Sequence, residues 1–216
     1  MTTPADSSPF DPAAAHPPLV AILRGLPPPD AAAIGLALYE AGFRLLEVPL
    51  NRPGALEAVA ALVAALPGDA WIGAGTVLQP EQVEAVAGAG GRLVISPNCD
   101  PAVIAAARGR QLWSLPGVAT PSEAFAALQA GAHALKAFPA EAIAPAVLKA
   151  WRAVLPMSVP VYPVGGIVPA NMAAYRAAGA SGFGLGGALY QPGDPAAAVA
   201  ARARAYVAAW AAAKRD

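Results

Sequence analysis

Three ionisable side chains stand at or inside short apolar runs. Lys136 lies in Ala134-Leu135-Lys136-Ala137-Phe138-Pro139, Glu47 in Leu45-Leu46-Glu47-Val48-Pro49-Leu50, and Arg24 closes Leu19-Val20-Ala21-Ile22-Leu23-Arg24. A lysine kept from water loses affinity for its proton, and the neutral amine is a nucleophile that forms a Schiff base with a carbonyl. A carboxylate near it can move protons as general acid and base. Arginine offers a planar fork matched to a carboxylate or a phosphate. Strand alternation puts Ala134, Lys136 and Phe138 on one face, and Glu47 on a face with Leu45 and Pro49. Plainer readings stand beside these: a buried Lys136–Glu47 ion pair without chemistry, a lysine reaching for the rim, and a rim salt bridge for Arg24. A charged Glu47 would raise the lysine pKa while desolvation lowers it, and the sequence leaves the winner open.

These groups stand out because charge is scarce. Of 216 residues 13% are charged, 14 basic against 14 acidic, and 56% are hydrophobic. Only three lysines occur. Lys149 falls in a helical stretch beside Trp151 and Arg152, and Lys214 is near the C-terminal end. Zero formal charge argues against a nucleic-acid partner, which calls for a basic stripe. The apolar runs are broken by Gly, Pro or charge well short of a membrane span, so no membrane association is expected. One cysteine, Cys99, and two histidines, His16 and His133, argue against an internal disulfide and a multi-histidine metal centre. No metal and no cofactor is expected. The first residues do not read as a signal peptide, and a cytoplasmic location fits.

The elements that must position these groups alternate regularly. Eight apolar runs read as strands: 19–24, 45–50, 71–76, 93–97, 112–116, 134–138, 159–164 and 182–186. Ala-rich helical stretches follow them, and a final helix spans about 194–214. Prolines open many helices, Asp30, Ser122 and Asp194 lie near helix starts, and Gly42, Gly131 and Gly179 lie near helix ends. Residues 1–18 read as a flexible tail, and 19–216 as one domain. Strands alternating with helices imply parallel pairing, and eight units predict a (β/α)₈ TIM barrel ahead of a doubly wound open sheet, which usually shows fewer units and one dominant glycine-rich turn after the first strand.

Barrel sites lie at the C-terminal strand ends. Arg24, Glu47, Asn51, Thr76, Asn98 and Lys136 are the polar residues there. Thr76 closes a small-residue run where a substrate can approach, or caps the next turn. Gly165-Gly166 and Gly186-Gly187 end strands seven and eight, where barrels often bind phosphate through backbone N–H groups, or they are tight turns. Gly182–Gly187 matches G-x-G-x-x-G, but it is itself the last strand and Arg202 stands where an acid belongs, so a dinucleotide site is rejected. Cys99 and His133 stand in no reactive pairing.

Taken together, Ile22-Leu23-Arg24-Gly25, Glu47-Val48-Pro49-Leu50-Asn51, Gly73-Ala74-Gly75-Thr76-Val77, Ser96-Pro97-Asn98, Pro116-Gly117, Leu135-Lys136-Ala137-Phe138-Pro139 and Val164-Gly165-Gly166-Ile167 resemble the 2-keto-3-deoxy-6-phosphogluconate / 6-phosphogalactonate aldolase family. The likeness runs from about Leu19 to Gln191. It implies a class I aldolase, a homotrimer without metal, acting on a phosphorylated keto sugar acid. The products would be pyruvate and glyceraldehyde 3-phosphate. Lys136 would form the Schiff base and Glu47, with a water, would shuttle protons. Arg24 and Thr76 would hold the pyruvyl carboxylate, Pro97 and Phe138 would wall the pocket, and Gly165, Gly166, Gly186 and Gly187 would take the phosphate. Pro49, Asn51 and Val164 resemble the phosphogalactonate branch. Gly187 stands where many relatives carry Ser. The alternatives are the C4-epimeric phosphogluconate substrate, a non-covalent phosphosugar isomerase or epimerase, and a catalytically silent barrel serving binding or assembly.

Overall fold

The structure, a computed structural model, describes residues 17–213. Most of the expected tail, residues 1–16, and Lys214 lie outside the described residues. The strands are β1 (Leu19–Ile22), β2 (Leu45–Pro49), β3 (Trp71–Gly75), β4 (Leu93–Ile95), β5 (Trp113–Leu115), β6 (Gly117–Val118), β7 (Leu135–Ala137), β8 (Val161–Pro163) and β9 (Phe183–Leu185). The helices are α1 (Ala31–Glu40), α2 (Ala55–Ala65), α3 (Pro80–Gly88), α4 (Pro101–Gly109), α5 (Pro121–Gln129), α6 (Pro145–Arg152), α7 (Pro169–Ala177) and α8 (Ala196–Ala212).

All paired strands are parallel, in the orders β5-β4-β3-β2-β1-β9 and β6-β7-β8. The result is a curled parallel sheet with helices between the strands. The ladder falls into two sheets rather than the one unbroken ring expected. Two local causes are visible. Pro116 has no N–H and the strand breaks there: β5, within the fifth run, pairs with β4, and β6, which lies just past that run and was not expected, pairs with β7. Between β8 and β9 contact is reduced to a single bridge, Val164 to Gly184.

Alternation divides the core into two layers. Leu46, Val48, Ala74, Val94, Leu135 and Ala137 face the helices. Val20, Leu45, Leu93, Ile95, Trp113, Leu115, Ala134 and Tyr162 fill the concave side of the sheet. Trp113 and Tyr162 meet there edge to face, with ring centroids 5.9 Å apart. Small alanines on α1, α2 and α8 let α1 pack closely between α2 and α8, and α2 onto β2 and β3.

Helix starts follow local chemistry, with three departures from expectation. Pro80, Pro101, Pro121, Pro145 and Pro169 open their helices. Asp30 does not cap α1, because it already lies in a short 3-10 turn with helical backbone angles. Ser122 is inside α5, whose cap is Thr120, accepting from the Glu123 N–H. Asp194 caps no helix; it accepts from the Gln191 N–H and pairs with Arg202. Gly42, Gly131 and Gly179 do leave their helices at positive φ. No helix among the described residues is long and apolar enough to cross a membrane.

Candidate active site

Glu47 on β2 and Lys136 on β7 both point into the concave side, because their neighbours Leu46, Leu135 and Ala137 are taken by the helix layer. They are the only buried charged side chains among the described residues, at 2% and 7% exposure. Desolvation pushes the Glu47 carboxyl up to about 7, against the pull of Lys136, of Arg24 and of a backbone hydrogen bond from Gly75. Desolvation also pushes the Lys136 amine down from its ordinary value; Glu47 opposes this and Arg24 reinforces it. Burial therefore outweighs the mutual attraction at both groups. Among the described residues no direct ion pair joins them. Glu47 Oε2 has no hydrogen-bond partner at all. An unpaired carboxylate oxygen and an amine whose pKa burial lowers differ from a closed structural ion pair.

Phe138, two residues on from Lys136, lies on the same face. Its ring centroid is 4.5 Å from the lysine Nζ. It also lines a cavity of about 790 Å³, together with Arg24, Val164 and both glycine pairs. Gly165 and Gly166 adopt φ of 112° and 62°, a turn closed to ordinary side chains. Gly186 and Gly187 are different: a methyl on either would meet nothing within 4 Å, so they leave open space.

Thr76 follows β3 with φ of 54°, strained for a β-branched residue. It does not cap α3; the Gln82 side chain does, accepting from the Leu78 and Gln79 N–H groups. The Pro97 carbonyl packs on Gly117, which pairs with Lys136. Asn51 is exposed beyond β2 and, like Thr76 and Pro97, does not line the cavity; Glu47 and Lys136 are not among its lining residues either, and Phe138 is what joins them to it. His133 has a structural place, its Nδ1 accepting from the Ser114 N–H at 3.1 Å.

Among the cavity residues that escaped sequence reasoning are three with ionisable side chains. Arg52 follows the strand end by one position more than the candidate Asn51. Glu141 lies in the turn after β7, and its carboxylate rests against Gly165 and Gly166. Tyr190 is buried at the cavity wall; burial first, then Asp30 and Asp194, push its hydroxyl up to about 12, so it stays a donor. Only the adjacency of Arg52 to Asn51 was a usable signal.

The arrangement combines a buried amine of lowered pKa, a buried carboxyl raised to about 7, and a neighbouring cavity lined by two arginines and two glycine pairs. A sequence model described as "Aldolase: KDPG and KHG aldolase" matches residues 13–196. The chain is 48% identical over 193 residues to a "Probable 2-dehydro-3-deoxy-6-phosphogalactonate aldolase" of Rhizobium meliloti, covering 89% of this chain and 91% of that one. It is 47% identical over 193 residues to the "2-dehydro-3-deoxy-6-phosphogalactonate aldolase" of Escherichia coli, covering 89% and 94%. Among solved structures, "Native KDPGal structure" superposes with a TM-score of 0.89 at 46% identity, covering 91% of this chain and 95% of that one.

Proposed function

Since the chain belongs to the KDPG and KHG aldolase family of carbon–carbon lyases, we propose that it cleaves 2-dehydro-3-deoxy-6-phosphogalactonate to pyruvate and D-glyceraldehyde 3-phosphate through a Schiff base on Lys136. The observation that carries this is the depressed Lys136 amine facing a Glu47 carboxyl held near 7. The Lys136 amine adds to the C2 ketone, and loss of water leaves an iminium. Glu47, through a water, takes the C4 hydroxyl proton. The C3–C4 bonding electrons pass into the iminium, the aldehyde departs, and an enamine remains. Glu47 returns a proton to C3, and water hydrolyses the iminium to release pyruvate and the free amine. Each proton transfer by a placed group contributes roughly 10²–10⁴ in rate.

In this reading Arg24 and Thr76 hold the pyruvyl carboxylate, and Pro97 and Phe138 wall the reacting carbons. Gly165, Gly166, Gly186 and Gly187 take the phosphate through backbone N–H groups. Asn51 and Val164 set the preference between C4 epimers. The buried, apolar Val164 on the cavity wall and the names of the relatives near 48% identity support the galactonate epimer.

The same reading makes residues 19–216 one domain and closes the curl into a (β/α)₈ barrel. Continuity of the run 113–118 through Pro116 and the Val164–Gly184 bridge support closure. The assembly is a cytoplasmic homotrimer working without metal or organic cofactor.

Borohydride with pyruvate tests the covalent step. A reduced pyruvate adduct on Lys136, absent in Lys136→Ala, is expected, along with loss of cleavage in that variant. No adduct in the intact protein would overturn the Schiff base. Side-by-side release of pyruvate from both C4 epimers tests the substrate, and equal rates would remove the galactonate preference.

A further inference from the structure

Most arginines among the described residues are spoken for. Arg44, Arg110 and Arg202 pair with Asp69, Glu84 and Asp194. Arg92, Arg152 and Arg176 donate to backbone carbonyls, and Arg108 contacts His133. Arg24, Arg52 and Arg204 have no hydrogen bond or ion pair among the described residues. Of these, Arg24 and Arg52 line the cavity, and Glu141 is the one carboxylate that lines it with them.

Both arginines are exposed, and they differ in what they reach. Arg24 acts on both Lys136 and Glu47, whereas Arg52 acts on neither. The Arg52 stem instead lies against Gly25. A methyl on Gly25 would sit 3.8 Å from Arg52 Cγ and 3.3 Å from Pro192 Cγ. Pro192 follows the Gly186–Gly187 turn, to which Gln191 Nε2 returns a hydrogen bond at Gly187 O. Arg52 therefore stands where the loops after β1, β2 and β9 meet, beside the second glycine pair.

Charge explains why a cation belongs there. The Glu141 carboxylate rests on Gly165 and Gly166, and Gly187 has no hydroxyl. Backbone N–H groups alone would face a phosphate dianion next to a carboxylate. A guanidinium offsets that charge and can bind phosphate through two parallel hydrogen bonds.

We propose that Arg52 is the specificity-determining residue for the phosphorylated end of the substrate, holding the phosphate while Arg24 serves the carboxylate. The inference rests on the aldolase reading above and assigns one more residue within it.

The test is aldol condensation of pyruvate with D-glyceraldehyde 3-phosphate and with unphosphorylated D-glyceraldehyde, plus borohydride trapping of pyruvate alone. For Arg52→Gln, KM for the phosphorylated aldehyde should rise roughly tenfold, as expected for one charge-assisted contact. Reaction with D-glyceraldehyde and pyruvate trapping should stay at wild-type levels, and Arg52→Lys should recover part of the loss. Equal loss with both aldehydes, no loss with either, or weakened pyruvate trapping would overturn the assignment. Failure of the wild-type protein to trap pyruvate would instead bring down the aldolase reading, and this inference with it.

Discussion

Gly75 and Glu47 occupy one space: a methyl built on Gly75 would overlap both carboxylate oxygens of Glu47. Gly75 ends β3 and lies beside Pro49 in the β2–β3 ladder, so its missing side chain is what makes room for a carboxylate inside the curl.

Gly75→Ala should displace the Glu47 carboxylate without unfolding the sheet, since the φ of Gly75 is not positive and an alanine is backbone-compatible there. Cleavage should fall by about 100-fold, the lower range for losing a placed acid–base group. Pyruvate trapping on Lys136 should persist. Steady-state kinetics and borohydride trapping on one preparation check this; an unchanged kcat would show that the carboxylate position is not demanding.

Glu47→Gln separates stability from activity by pH. Folded Glu47 keeps its proton up to about 7, whereas its ordinary value is 4.5. Between those values the folded state binds the extra proton, so this group's contribution to stability falls as pH rises through the window. Above pH 7 the buried charge costs about 3 kcal/mol, at roughly 1.4 kcal/mol for each pKa unit. The glutamine variant should melt higher than wild type at pH 8 and lose that advantage near pH 4.5, while cleavage collapses. Glu47 is also the group that holds the Lys136 pKa up. Its removal should therefore move the midpoint of pyruvate trapping to lower pH. Melts that differ equally at both pH values would contradict the burial argument.

Gly187→Ser should be accepted without strain, because a methyl there meets nothing within 4 Å. The added hydroxyl faces the cavity end assigned to phosphate. KM for the phosphorylated substrate should fall severalfold, on the order of one neutral hydrogen bond, with pyruvate trapping unchanged. A rise in KM would place the phosphate elsewhere.

The elements were largely legible because their signals are local. Each of the eight apolar runs holds a strand, and β6, just past Pro116, lies outside them. The interior direction of Lys136 followed from alternation with Leu135 and Ala137. The helix caps were less legible. Asp30 and Asp194 are good acceptors by type, yet a preceding 3-10 turn and an arginine from α8 engaged them first. Arg52 and Glu141 escaped because neither lies in a strand, and loop paths are set by what the loops meet.

The sequence by itself determined the order of parallel strands and helices and the faces of Glu47 and Lys136, since a period of two residues needs no distant partner. Tertiary structure decided the direction of their pKa shifts. Both shifts depend on burial from water and on the charges of Arg24, Glu47 and Lys136 summed through space. The sequence left open whether attraction or desolvation wins; burial on every side, with no direct ion pair to offset it, is why desolvation does.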